Sequence, residues 1–541
     1  MQDYYKELFK EIKKRKIKTI DGVLKLRREL CRKYSPQIFP SMIGILMHAD
    51  EKQFKELKFL ITKPARTLSG VTPIAVMTKP IPCPHGKCIM CPGGPNSIFG
   101  DVPQSYTGTE PSTMRSARNF YDPYLTVINR LEQYFLLNQS YDKVELIIQG
   151  GTFPSYPMKY QNEFITYSLK ALNDFNFTLT QFKKFFELPS EITPERTQRI
   201  QNKILKLKGK STLEKEIKRN EKAKIRCIGL TIETRPDYAQ LKHANIMLKQ
   251  GCTRVELGVQ TTDNKVLSII KRGHSVEDTK KSFRILKDLG FKINAHVMLG
   301  LPEDKNNLMT LFSDPDFRPD MLKIYPCIVM PGTELAERYK KGEYTPMKTN
   351  EAIKILAEFK TKVPEYVRIM RIQRDIPTKH SLAGVDKTNL RQLLQNYMNE
   401  HNIHCNCIRC NEIKTKIKNP KLEIIEYEAS NGKEYFISIK QKKEIIGFCR
   451  LRFPSRSYRK EITKDSAIIR ELHVYGTAIG LEKVGEVQHK GFGKILLKKA
   501  EEICKQNSKK KLLIISGVGV RNYYKKLGYK QDGPYVSKII S

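Results

Sequence analysis

No stretch of this 541-residue sequence is long and apolar enough to span a bilayer. Met1 to Leu30 carries too many charges to read as a secretory signal. These absences argue against an integral membrane enzyme and a secreted disulfide scaffold. The expectation is a cytoplasmic protein with reduced thiols and no membrane partner. Acid is scarce as well: 57 Asp and Glu face 97 Lys and Arg, a formal net charge of +40. Solubility needs far less, so a polyanionic partner is implied, nucleic acid ahead of an anionic membrane surface. A heat-adapted lysine bias would raise glutamate alongside lysine. Glutamate does not keep pace here, so bias alone is a poor explanation. The length itself calls for two to four domains.

What the chain does hold is twelve cysteines, six of them in two tight clusters. The first is Cys83-Pro84-His85-Gly86-Lys87-Cys88-Ile89-Met90-Cys91-Pro92-Gly93-Gly94, spaced C-x4-C-x2-C. Thiolates this close can wrap one soft metal centre, on a loop that the prolines and glycines keep out of helix. Three thiolates suit three irons of a [4Fe-4S] cluster and leave the fourth iron open, whereas a closed zinc site wants four ligands. Half of a zinc site fits the local spacing equally well. The second cluster, Cys405, Cys407 and Cys410, reads as structural zinc pinning two domains, with Cys327, His401 and His404 as candidates for the fourth ligand. Among the scattered cysteines (Cys31, Cys227, Cys252, Cys327, Cys449 and Cys504) small core residues are expected.

Residues 1–72 read as a helical module. Tyr5, Leu8, Ile12, Ile17 and Ile20 sketch an apolar stripe beneath a basic face of Lys13, Lys14, Arg15 and Lys16, suited to phosphate. Residues 73–374 alternate short Val- and Ile-rich runs with helical segments. Strands are expected at Ile74–Thr78, Val144–Ile148, Ile225–Ile232, Arg254–Val259, Ile293–Leu299 and Leu322–Val329, buried on both faces as parallel strands are. Asn264–Lys271 and Val276–Leu289 supply crossovers, and six such units predict an open partial (β/α)6 barrel. Gly150-Gly151-Thr152-Phe153, Glu233-Thr234-Arg235-Pro236-Asp237, Gln260 and Gly300-Leu301-Pro302 fall where strands end, the edge on which parallel barrels build their sites. The cysteine loop follows the first strand to that same mouth. Residues 183–224 read as a lysine-rich, exposed helical hairpin and a second nucleic-acid contact, and 375–420 as the zinc-bearing linker.

Residues 421–541 change character. Tyr435–Lys440, Glu444–Leu451 and Ala467–Val474 read as antiparallel strands, with Leu512–Ser516 as a later one. Gln488-His489-Lys490-Gly491-Phe492-Gly493 opens a helix, with glycines for close approach and free N–H groups for a pyrophosphate. Arg521-Asn522-Tyr523-Tyr524-Lys525-Lys526-Leu527-Gly528-Tyr529 completes the layout of an acyl-CoA-binding acetyltransferase of α+β type.

Nearly the whole chain resembles the Elongator catalytic-subunit family, the radical-SAM tRNA wobble-uridine acetyltransferases, in its archaeal form. The resemblance rests on 83–94, on Gln104-Ser105-Tyr106-Thr107-Gly108-Thr109-Glu110-Pro111, on the runs 150–157, 231–237 and 256–260, on Arg371-Ile372-Gln373-Arg374-Asp375-Ile376-Pro377, and on Glu471-Leu472-His473-Val474-Tyr475-Gly476. The wider radical-SAM pattern is C-x3-C-x2-C; here the first gap is four residues. The resemblance implies an α/β radical-SAM partial barrel joined to a GNAT-type α+β domain, with a basic helical N-terminal module that binds tRNA. It implies that Cys83, Cys88 and Cys91 ligate the [4Fe-4S] cluster and that Gly150, Gly151 and Glu256 line the S-adenosylmethionine pocket. Lys143 would contact acetyl-CoA, and Glu471, Leu472, His473 and Val474 would follow its pantetheine arm. Val487, Gln488, His489, Gly491 and Gly493 would form the pyrophosphate turn, and Tyr523 and Tyr524 an aromatic pair at the thioester, at least one of them also core.

The implied chemistry starts from a deoxyadenosyl radical, which takes a hydrogen from the acetyl methyl of acetyl-CoA. The carbon radical adds to C5 of uridine 34, unstacked from the anticodon stem-loop, and thioester hydrolysis leaves a carboxymethyl group. An electron donor is required, and a homodimer is compatible with all of this. Both pockets are expected to open onto one shared chamber. Two rivals remain: a protein-lysine acetyltransferase, which leaves the cysteine loop unexplained, and an RNA-binding scaffold with a structural cluster.

Overall fold

The computed structural model describes residues 2–36, 39–60, 70–191, 193–373, 376–476 and 491–540. In chain order the first strands are β1 (Thr72–Met77), β2 (Gly94–Ser97), β3 (Gly100–Val102), β4 (Lys143–Gln149), β5 (Arg226–Thr234), β6 (Arg254–Gln260), β7 (Lys292–Leu299), β8 (Met321–Pro326) and β9 (Arg368–Ile372). β2 and β3 form a small hairpin after the cysteine loop. The others pair in parallel, in the order β1-β4-β5-β6-β7-β8-β9, and leave an open, curled sheet with helices on its outer face. The sheet therefore has seven strands where six were expected. β9 escapes a search for apolar runs because Arg368 and Arg371 flank its apolar residues. β8 stops at Pro326, which has no N–H for the ladder, and Val329 bridges to Ala383 instead.

The two faces of the sheet differ in kind. On β4, Val144, Leu146 and Ile148 are fully buried, while Lys143, Glu145 and Gln149 face cavities inside the curl. Barrel interiors are usually filled by branched aliphatic side chains. This one buries Glu233, Arg254, Glu256, Asn294 and Lys323.

Four helices precede the sheet: Gln2–Lys14, Ile20–Tyr34, Met42–His48 and Glu51–Glu56. Thr19, Ser41 and Asp50 cap the last three through side-chain oxygens. Tyr4, Leu8, Val23, Leu26 and Leu30 form their core, but Ile20 is exposed and ends the expected stripe early. On the basic face, Arg15 is engaged by Glu11 at 2.7 Å and Glu29 at 2.8 Å, so Lys13, Lys14 and Lys16 carry the open charge.

The insertion at 183–224 is not a free hairpin. Its helices Pro194–Lys208 and Leu213–Asn220 pack on the barrel helices Pro123–Leu136 and Met158–Asp174, burying Ile200, Ile204, Glu216 and Asn220. Much of its charge is paired: Lys203 with Glu187, Lys208 with Asp122, Arg219 with Asp174 and Glu216. In the linker, helix Leu390–Glu400 packs on Thr349–Lys362 through Leu390, Leu394 and Met398.

The second large sheet comprises β10 (Lys421–Ala429), β11 (Gly432–Gln441), β12 (Glu444–Phe453), β13 (Ser466–Val474), β14 (Lys511–Ile514), β15 (Lys530–Asp532) and β16 (Tyr535–Ile539). Its order is β10-β11-β12-β13-β14-β16-β15, antiparallel except for the parallel β13–β14 pair. Pairing of that couple ends at Ile469–Ile514, so β13 runs on to Val474 without a partner on that side. The splay opens a cleft beside helix Phe492–Gln506.

The two sheets are joined by a fully buried ionic network. Arg470 binds Asp320 through both guanidinium tips, at 2.8 and 2.5 Å, and Glu434 at 3.0 Å. Arg452 binds Asp288 at 2.6 Å and Glu434 at 2.9 Å. Lys287 and Arg450 complete the cluster near Asp320. Each burial of a charge here is matched by an opposite partner, the condition for tolerating it.

Candidate functional site

Cys83, Cys88 and Cys91 line one cavity at the C-terminal ends of the parallel strands, together with Gly151, Thr152, Glu233, Glu256, Gln260 and His296. Donors approach Cys88 and Cys91, and Cys91 Sγ also lies 3.1 Å from the Gln104 side-chain oxygen. The Ser105 amide lies 3.3 Å from Cys91 Sγ, His85 Nε2 3.2 Å and Arg272 Nη1 3.6 Å from Cys88 Sγ. Such donors suit thiolates. Among the described residues, the one three-cysteine group with all sulfurs within 4.8 Å is Cys405, Cys407 and Cys410. The loop thiols are spread too widely for one tetrahedral ion, whose bonds of about 2.3 Å draw sulfurs together. Their spacing and donors fit an iron–sulfur cluster.

Gly150 stands just behind this cavity. Its φ is +124°, and a Cβ there would lie 2.0 Å from Thr78 Oγ1, so only glycine lets β4 turn toward the cysteine loop. Glu256 reaches the cavity from the middle of β6 rather than its end. It accepts from Lys323 Nζ at 2.5 Å, Asn294 Nδ2 at 2.9 Å and His296 Nε2 at 3.2 Å. Its own burial opposes ionisation, but Lys323 and His296 hold it well below the usual carboxylate range. Gly300 and Leu301 do not line the cavity, and Arg374 and Asp375 lie outside the described residues.

A second cavity of about 500 Å³ opens at the other end of the strands. Lys143, Arg254, Lys292 and Arg368, at the N-terminal ends of β4, β6, β7 and β9, form its barrel wall. Glu471, Leu472, His473 and Val474 of the splayed β13, with Gly491, Gly493, Tyr523 and Tyr524, form the opposite wall. Gly491, at φ +87°, starts the helix without a side-chain cap, which leaves the first-turn N–H groups for a ligand. Tyr524 is core, and Tyr523 is 39 % exposed. Burial lowers the pKa of Lys143 and brings that of His473 down to about 4. Glu471 accepts from Arg450 Nε at 2.9 Å. Val487, Gln488 and His489 lie outside the described residues.

The expected single chamber is not what the structure holds. The two cavities share no lining residue and sit at opposite ends of one barrel lumen. A layer of charged side chains divides them. Glu145 faces the second cavity and Glu256 the first, with the Arg254 guanidinium between, 2.6 Å from Glu145 and 3.8 Å from Glu256.

At the second cysteine cluster, Lys360 Nζ lies 3.4 Å from Cys410 Sγ. Hydrogen bonds from Cys405 and Cys407, with Lys360 alongside, favour the Cys410 thiolate. None of the three candidate fourth ligands belongs to this group. Cys327 is buried beside Tyr344, and His401 stacks on Tyr397 while bonding its carbonyl at 2.8 Å. His404 is exposed.

Residues 81–313 match the radical SAM superfamily, 319–400 the radical SAM C-terminal domain and 403–529 the acetyltransferase (GNAT) family. The chain is 44 % identical to the tRNA uridine(34) acetyltransferase of Methanocaldococcus infernus over 560 residues, covering 99 % of each. It is 39 % identical to Elongator complex protein 3 of Saccharomyces cerevisiae over 536 residues, 94 % of this chain and 90 % of that one. The solved M. infernus Elp3 lacking its N-terminus (1–46) matches with a TM-score of 0.71 and 39 % identity, over 87 % of this chain and 100 % of that one.

Proposed function

Because this chain belongs to the tRNA uridine(34) acetyltransferase family, which also holds the Elongator complex protein 3 subunits, we propose that it modifies the wobble uridine of tRNA, using acetyl-CoA to place a carboxymethyl group on C5. The observation that carries this is the pairing of a three-thiol cavity and an acyl-CoA-type cleft at the two ends of one lumen. An acetyltransferase of protein lysine has no use for the thiols, and here the barrel itself forms one wall of the cleft.

Cys83, Cys88 and Cys91 would hold the [4Fe-4S] cluster. Bound there and fed one electron by an external donor, it supplies the reductive cleavage of S-adenosylmethionine that starts radical chemistry. Gly151 and Glu256 line the space beside it. In the cleft, the Gly491 helix start receives the pyrophosphate, and Lys143 donates to the acyl carbonyl. His473 stays neutral down to about pH 4, and its Nε2 has no partner. It can draw the proton from the water that attacks the thioester. Lys13, Lys14 and Lys16 offer phosphate contacts, so tRNA affinity falls steeply with salt. Cys405, Cys407 and Cys410 take structural zinc. The test is mass analysis of nucleosides from tRNA incubated with the reduced enzyme, S-adenosylmethionine and acetyl-CoA. Carboxymethyluridine is expected; unmodified uridine with acetylated protein would favour the lysine reading.

A further inference from the structure

The charged layer in the lumen has one weak member. Glu256 keeps three close partners without Arg254, namely Lys323, Asn294 and His296. Glu145 keeps the Thr231 hydroxyl at 2.9 Å. Arg254, by contrast, is buried with one charged contact shorter than 3 Å, to Glu145; its Nη1 has only the weak acceptor Met321 Sδ at 3.9 Å, and its Nε has no hydrogen-bond partner. An unpaired buried donor costs about 1–3 kcal/mol, so the closed position is poorly secured. The guanidinium also borders the larger cavity and can turn into it, leaving neither carboxylate unpartnered.

We propose that Arg254 is the gate between the two cavities: its withdrawal from Glu145 and Glu256 joins them through the barrel lumen and admits the acyl end of the thioester to the cysteine side. This rests on the reading of the larger cavity as the acyl-CoA cleft. The layer then keeps acyl group and radical source apart until both substrates are bound. Lys323 is not the gate, because it is locked to Glu256 at 2.5 Å and stands within 4.0 Å of Glu233.

The probe is bromoacetyl-CoA, whose bromine-bearing α-carbon is attacked by a thiolate with loss of bromide, the proton of the parent thiol going to solvent. The full chain is stripped of iron so that Cys83, Cys88 and Cys91 are free, and labelled cysteines are mapped by peptide mass. Arg254→Met should label one of these cysteines about tenfold or more faster than the native chain, the factor that losing one charge-assisted hydrogen bond implies. Excess acetyl-CoA should suppress that labelling. Glu145→Gln, which keeps an acceptor for Thr231, should give a smaller acceleration and serves if Arg254→Met fails to fold. Equal rates in all three proteins, or no labelling in any, would overturn the gate. Labelling that acetyl-CoA does not slow has entered from the outer mouth and overturns it too. Because no tRNA is involved, failure here leaves the nucleoside analysis untouched.

Discussion

Arg470 is the residue whose loss should be felt most widely. It is fully buried, and its guanidinium bonds Asp320, Glu434 and the Phe291 carbonyl, the last at 2.7 Å. Replacement by Met keeps most of the volume and removes the charge. Asp320 then retains the Ile293 amide at 2.9 Å and longer contacts to Arg450 at 3.6 Å and Lys287 at 3.9 Å. Glu434 retains Arg452 at 2.9 Å. Four cations (Lys287, Arg450, Arg452, Arg470) balance four anions (Asp288, Asp320, Glu434, Glu471) in the native cluster, so the variant leaves one uncompensated buried negative charge. Breaking a buried pair in this way costs about 3–5 kcal/mol. Urea unfolding of Arg470→Met should show that loss, and because Asp320 leads into β8 of one sheet and Glu434 lies on β11 of the other, one transition should split into two. Adding Asp320→Asn should recover a large part of the cost, since it removes the stranded charge. A single unsplit transition, lowered by less than about 1 kcal/mol, would refute the reasoning.

Lys143→Ala should weaken acetyl-CoA binding by about tenfold or more, the loss of one charge-assisted hydrogen bond, with S-adenosylmethionine binding unchanged; calorimetry with each ligand checks both. His473→Gln should slow tRNA-stimulated acetyl-CoA hydrolysis by about 100-fold, the usual worth of a positioned base. In the native enzyme that rate should hold through pH 6.5 and fall only toward pH 4, where His473 protonates. The same depressed pKa means that the unfolded chain takes up the proton first, so the His473 contribution to stability is complete above about pH 6.5 and fades between 6.5 and 4. Cys407→Ser should abolish stoichiometric zinc in elemental analysis and lower the unfolding midpoint by several degrees, while modification at low temperature persists.

The sequence carried the parts of this fold that depend on local pattern. Val- and Ile-rich runs mark strands buried on both faces, and the cysteine loop follows β1, because loops follow strands to the mouth of a parallel barrel. What stayed hidden depends on partners far apart in the chain. β9 is held by its ladder with β8 rather than by its own residues. β10, β15 and β16 were missed for the same reason, being short or polar on their outer faces. Arg254 and Lys323 read as ordinary strand ends and lie 69 residues apart, yet both reach Glu256. The lysine-rich insertion misled because its ion partners Asp122 and Asp174 belong to other helices.

The buried network at the seam has a consequence for anyone dividing the molecule. Cut between residues 400 and 421, the acetyltransferase piece would present Arg450, Arg452 and Arg470 against Glu434 and Glu471, and the barrel piece Asp288 and Asp320 against Lys287. Neither fragment could hide that imbalance by itself, so each should be insoluble or misfolded when made separately. Co-expressed, their cut surfaces attract as opposite poles, and reconstitution in trans should be favoured by dilute buffer and defeated by brine.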